Sequence, residues 1–306
     1  MGSSGVSVGC RSKPSGLDLR TTCVINALLQ PVARMRNSPR RDHGSDPDAG
    51  FRPLELLTPE IIVQVALTFL LGGFIKGAIG MGLPQIVLVS MVLIMPLRDA
   101  LAVFLIPGVI SNIWQAASGP YLPVLLRRLW SFLLAGAVFI WIGVAVLAAT
   151  RSDVMVLILG LLLCAYSVWA MTQPRLPGPG RREIWMSPVA GALGGIMFGM
   201  TGTFIVPGLL YLETLGFKRD MFVQALGLTF VTISTTLAFS MTGQGLVSWE
   251  HATLSAMGLV PVGIGLWLGQ RIRHRISEGF YRKLFFVALF LIGMYLIARV
   301  WLSGTI

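Results

Sequence analysis

The sequence predicts an all-α polytopic membrane protein of two homologous halves, arranged as inverted repeats, with roughly 8 to 10 membrane segments, two of them Gly/Pro-broken helices. Composition is the first observation behind this: 55% of residues are hydrophobic and 12% charged, against about 25% charged in a soluble domain. The second is a succession of apolar runs after residue 58, each reaching or approaching the roughly 20 residues that cross a hydrocarbon core. The third is a duplicated motif. GGFIKGAIGMGLP at residues 72–84 and GGIMFGMTGTFIVP at residues 194–207 carry four glycines at the same spacing, and each ends in proline.

Along the chain, residues 1–58 mix Arg and Lys with Ser, Pro, Gly and Asp and show no apolar period. A disordered tail is expected there, or a start assigned too far upstream, with Met35 as an internal candidate. The first transmembrane repeat is expected at residues 59–173, a cytoplasmic linker at 174–185 and the second repeat at 186–306. No short alternating segments suggest a barrel. Basic residues flank the apolar runs at Arg127/Arg128, Arg175, Arg181/Arg182, Lys218/Arg219 and Arg271–Lys283, and the positive-inside rule makes those connections cytoplasmic. The segment between the cations at Arg175–Arg182 and those at Lys218/Arg219 then begins and ends on one side, so its broken helix makes an even number of crossings. Two half-length elements and three full spans per half give an odd number, and so inverted halves. A second landmark, Arg98 with Asp99, recurs as Arg219 with Asp220.

The net charge of +11 reads as topology signalling, not as a nucleic-acid surface, because the cations sit at span ends and not on one face. Cys10, Cys23 and Cys164 offer no metal-ligand spacing. His43, His251 and His274 assemble no catalytic constellation, and no GxxxxGKS phosphate loop is present. The chain is therefore expected to be no enzyme and to need no cofactor.

Gly77, Gly80 and Gly82 supply backbone freedom where a helix must open, and Pro84 suits the first turn of a new helix because it lacks an amide hydrogen. Gly199, Gly202 and Pro207 repeat the pattern. A helix starting within the membrane presents free amides and a partial positive charge, an anion site. Close helix packing is the competing reading of each glycine taken alone. Lys76, the charged residue between Glu60 and Arg98, lies beside the first break. A buried ammonium needs a partner, which a bound anion would supply; the alternative is a lysine that snorkels to the headgroups. Asn112, Gln115 and Thr229 are further candidates for binding an oxyanion, with helix bridging as the alternative for the threonine.

With GGFIKGAIGMGLP, the segment ending SNIWQA, GGIMFGMTGTFIVP, RDMFVQALGLTF and LWLGQRIRHRISEGFYRKLFFVALFLIGMYLI in hand, the chain resembles the sulfite exporter TauE/SafE family over about residues 60–302. The resemblance implies a multi-pass carrier of the bacterial inner membrane that moves small anions, typically sulfite, sulfonates or related organosulfur compounds. Many members have a denser glycine run in the first motif, a departure that leaves the substrate open. The expected partners are a small anionic substrate and membrane lipid, with a homo-oligomer open and no nucleic acid. The rival from another class is a membrane-embedded structural or assembly subunit without transport activity.

Overall fold

The computed structural model describes residues 58–172, 177–272 and 278–302. The expected tail, Arg175 in the linker and most of the loop after Arg271 lie outside the described residues. The α-helices are α1 Pro59–Ile79, α2 Leu83–Val92, α3 Leu97–Ala117, α4 Leu122–Ala149, α5 Ser152–Thr172, α6 Glu183–Thr201, α7 Leu210–Thr214, α8 Arg219–Gly243, α9 Trp249–Met257, α10 Leu259–Ile272 and α11 Glu278–Leu302. No strand occurs among the described residues. Seven helical stretches, one of them α9 and α10 together, are long and apolar enough to cross a membrane, with Leu83–Val92 and Phe286–Leu302 as shorter apolar helices.

Both motifs break as their glycines require. α1 starts at a Thr58 cap with Pro59 in its first turn and ends at Gly80, whose φ of 92° is left-handed. Gly82, at φ 106°, then opens α2 with Pro84 in the first turn. Such angles strain any residue with a Cβ. α6 ends likewise at Gly202, φ 67°. The chain resumes as a π-helical turn, Ile205–Leu209, that contains Pro207 and runs into α7. Helix ends recur at one constant offset: Ile79 and Thr201, Leu83 and Ile205, Val92 and Thr214, Leu97 and Arg219.

Four pairings dominate the packing: α4 with α6, α1 with α10, α5 with α11 and α3 with α8. The first two are glycine-lined. A Cβ on Gly191, Gly195 or Gly199 would strike the backbone of Phe132, Gly136 or Ile140, and one on Gly73 or Gly77 would strike that of Val262 or Leu266. Residues four apart share a helix face, so each glycine column lets two backbones touch. Residue numbers rise together along both pairs, which are therefore parallel. α3 and α8 are antiparallel, since Asn112 meets Ser234 while Gln115 meets Val223. α5 and α11 are antiparallel as well: Gly160 faces Gly293, Cys164 meets the Phe290 carbonyl, and the Tyr166 and Phe286 rings lie 5.1 Å apart.

Two ends of the bundle follow. At one, Arg128 grips Glu183 at 2.7 Å and lies 5.0 Å over the Phe217 ring. The start of α4, the start of α6 and the approach to α8 are thus neighbours, and the segment Glu183–Thr214 returns to the end it left. Arg127, Arg181, Arg182, Lys218, Arg219 and Arg271 belong to the same end. At the other, the Ser152 hydroxyl accepts from the Leu97 amide, Arg299 donates to the Val92 carbonyl and His251 approaches Asp99.

Candidate functional site

At the end rich in cations a cavity of about 390 Å³ opens between α1, α3, α8 and α10. Lys76, Gly77 and Gly80 enter it from α1, Ser111, Trp114 and Gln115 from α3, Asp220 and Val223 from α8, and Leu266 and Gln270 from α10, with Ser118–Tyr121 at the rim. Lys76 is buried, and its ammonium donates to Ser111 Oγ at 3.0 Å and to Asn112 Oδ1. Among the described residues no carboxylate pairs with it. An ammonium has three donors. Two neutral acceptors hold it in place without cancelling its charge, and the third N–H is available to a ligand in the cavity.

The wall around Lys76 is stiff. Asn112 stands behind the ammonium and ties it to α8 by donating from Nδ2 to Ser234 Oγ at 3.4 Å. Gln115 donates from Nε2 to the carbonyls of Gly80 and Val223, both at 3.0 Å. It thereby closes the carbonyl that the αL turn at Gly80 leaves open, while its Oε1 is buried without a partner. Gln224 clamps the rim: its Nε2 donates to the Ala116 and Gly119 carbonyls at 2.8 Å each, and its Oε1 accepts from the Tyr121 amide at 2.9 Å.

Of the residues singled out from the sequence, Lys76, Gly77, Gly80 and Gln115 line this cavity, and Asn112 supports it. Gly82 lines a second void of about 10 Å³, together with Met81, Gln85, Tyr166, Phe204, Leu209 and Phe230. That void, enough for about one water, is where the two helix breaks meet. Pro84 is buried in the first turn of α2. Gly199, Gly202, Pro207 and Thr229 do not line the open cavity. Gly199 lies against Ile140 and Gly143, Gly202 against Leu88 and Leu101, and the Thr229 hydroxyl is buried without a partner. The sequence reading did not pick out Ser111, Tyr121 or Gln270, and it used Asp220 only as a landmark. Nothing at these positions distinguishes a cavity wall from an ordinary helix end until α3, α8 and α10 are brought together.

Trp141, Trp185, Trp249 and Trp301 are exposed, as is Trp114 at the mouth of the cavity. That suits amphipathic rings at a membrane interface. The outward faces of the long helices are apolar, as lipid requires.

No curated protein and no solved structure matches the chain. A family model does, that of the sulfite exporter TauE/SafE, over residues 65–296. This range takes in both broken helices, Lys76 and every other helix lining the cavity, and the chain belongs to the sulfite exporter TauE/SafE family.

Proposed function

We propose that the chain is a secondary transporter, working as an exporter, for small anions such as sulfite, sulfonates or related organosulfur compounds in the inner membrane of a bacterium. One observation carries the proposal. Lys76 places a buried cation, with no carboxylate partner among the described residues, in the wall of an open cavity, beside a helix interrupted within the bundle. A desolvated charge of this kind is costly, and an entering anion relieves the cost. The cations clustered at the cavity end assign that end to the cytoplasm by the positive-inside rule, so the cavity receives its solute from inside the cell.

The halves act as inverted repeats. Helix ends recurring at one offset, with α3 antiparallel to α8 and α5 antiparallel to α11, support this reading. Rocking one half against the other then exposes Lys76 to each side in turn. Binding measurements on purified protein with sulfite, sulfoacetate, taurine and sulfate test the proposal, paired with efflux assays in cells. Binding of at least one anion, lost in Lys76→Met, supports it. Failure of the wild type to bind or move any of them favours an assembly subunit.

A further inference from the structure

The cavity has a counterpart position at the opposite end of the bundle, and there the structure is solid. Adding the offset that relates the helix ends takes Lys76 to Phe198, Ser111 to Ile233, Gln115 to Leu237 and Gly119 to Met241. All four counterparts are apolar and almost completely buried. At this end Asp99, in the first turn of α3, approaches His251, in the first turn of α9, with Nε2 and Oδ1 3.4 Å apart. Asp99 lies 19 residues before the rim at Ser118, about 28 Å along a helix, roughly the thickness of a hydrocarbon core.

The pair is unusual for its environment. Both side chains are buried, and Asp99 Oδ2 has no partner. The Ser248 amide donates to His251 Nδ1 at 3.1 Å, which leaves the hydrogen of a neutral ring on Nε2, 3.4 Å from Asp99 Oδ1 but without the geometry of a hydrogen bond. The Ser248 hydroxyl lies 3.0 Å from the same Nδ1, so it can accept from the ring when that nitrogen is also protonated. That acceptor comes at the expense of the Ser248 amide, which then loses Nδ1 as its partner. Among the described residues the other ionisable side chains at this end are Glu60, Arg98, Arg151, Asp153, Glu250 and Arg299. Arg151 pairs with Asp153 and Arg299 donates to the Val92 carbonyl, and among the described residues no Arg or Lys is paired with Asp99. A buried carboxylate without a fixed cation is stabilised by a proton on its neighbour.

We propose that Asp99 and His251 together form a binding site for one proton, and that the bound proton latches shut the end of the carrier opposite the cavity. With the proton present, imidazolium and carboxylate hold α3 to α9 across the two halves. Once it is lost, a buried carboxylate with one unpartnered oxygen gains by meeting water, and the end loosens. The inference rests on the alternating-access reading above.

Cysteine accessibility tests it on purified protein in lipid nanodiscs, where both ends are reachable and no substrate is needed. In a Cys10→Ser, Cys23→Ser, Cys164→Ala background, Met241→Cys reports the latched end and Val223→Cys the cavity. Maleimide rates are taken relative to unfolded protein at the same pH. Met241→Cys should react several-fold faster at about pH 8 than at about pH 6. Adding Asp99→Asn, which removes the buried charge but keeps an acceptor for Nε2, should hold the rate low at both pH values. Adding His251→Gln, which leaves the carboxylate without its proton partner, should hold it high at both. Val223→Cys labelling should fall where Met241→Cys labelling rises, and an unchanged elution profile and unfolding temperature verify the fold of each variant. A rate independent of pH in the otherwise native protein, or the same change in both variants, overturns the latch. A chain that binds no anion but returns this pattern keeps the latch and loses the transport reading.

Discussion

Asn112 and Ser234 are 122 positions apart in the sequence and 3.4 Å apart in space, the Asn112 amide donating to the serine hydroxyl. The helices that carry them begin at Leu97 and Arg219, so each occupies the same position in its own helix. The two residues meet because α3 and α8 pack antiparallel against each other. Lys76 donates to that same Asn112. The cation of the cavity is therefore anchored where α3 packs against α8.

Lys76→Met should abolish high-affinity anion binding while leaving the protein folded. A hydrogen bond to a charged group contributes about 1.5–3 kcal/mol, or roughly 10- to 150-fold in Kd. Titration calorimetry with the best of the four test anions checks this. Wild-type affinity in the variant would remove Lys76 from the site.

Gly263→Ala and Gly265→Ala sit two residues apart on α10 and should behave oppositely. A Cβ at Gly263 meets nothing within 4 Å, while one at Gly265 strikes the Leu70 carbonyl and comes within 2.7 Å of the Phe74 amide nitrogen. The first should stabilise by up to about 1 kcal/mol through helix propensity. The second should destabilise by about 1–3 kcal/mol through overpacking. Thermal unfolding in detergent measures both.

Gln224→Leu removes three hydrogen bonds that hold the rim from Ala116 to Tyr121. Stranding the buried Ala116 carbonyl should cost about 1–3 kcal/mol, whereas the Gly119 carbonyl and Tyr121 amide at the rim can turn to water. Because Tyr121 and Gly119 line the cavity, the KM of transport should rise along with the loss in Tm. A normal KM with a lowered Tm would make the clamp purely structural.

Thr229→Val replaces a buried hydroxyl that has no partner with a methyl group of similar shape. Stability should rise by about 1 kcal/mol, since an unsatisfied polar atom is removed. If transport falls while stability rises, the hydroxyl serves the solute in the other conformation.

Val223→Cys should be protected from an impermeant maleimide in whole cells and modified in inside-out vesicles, because the cavity lies at the cation-rich end. The reverse pattern would invert the membrane orientation.

Much of the architecture was legible in the amino-acid string. The breaks at Gly80 and Gly202 were readable because only glycine is comfortable at their left-handed angles, and Pro84 because a helix start tolerates its missing amide hydrogen. Arg127/Arg128 and Lys218/Arg219 announced one end of the bundle because cations at span ends are a local signal. Gly199 was ambiguous in the string: freedom to unwind and permission to pack look identical there, and only the Ile140 carbonyl against its face reveals the close approach. Gln115 was legible as a costly polar side chain in an apolar run, but not the carbonyls of Gly80 and Val223 that occupy its amide.

By itself, then, the sequence determined what depends on neighbours along the chain: which segments suit lipid, where the helices stop, and that one ammonium lies beside a stop. Tertiary structure decided what depends on distance across it. It opened a cavity at Lys76 and packed Phe198 solid at the matching position, and it brought Asp99 to His251 from helices far apart in the chain. Hydrophobicity and backbone strain act residue by residue, whereas a cavity, or a carboxylate without a fixed cation, is defined only by what the other helices leave around it.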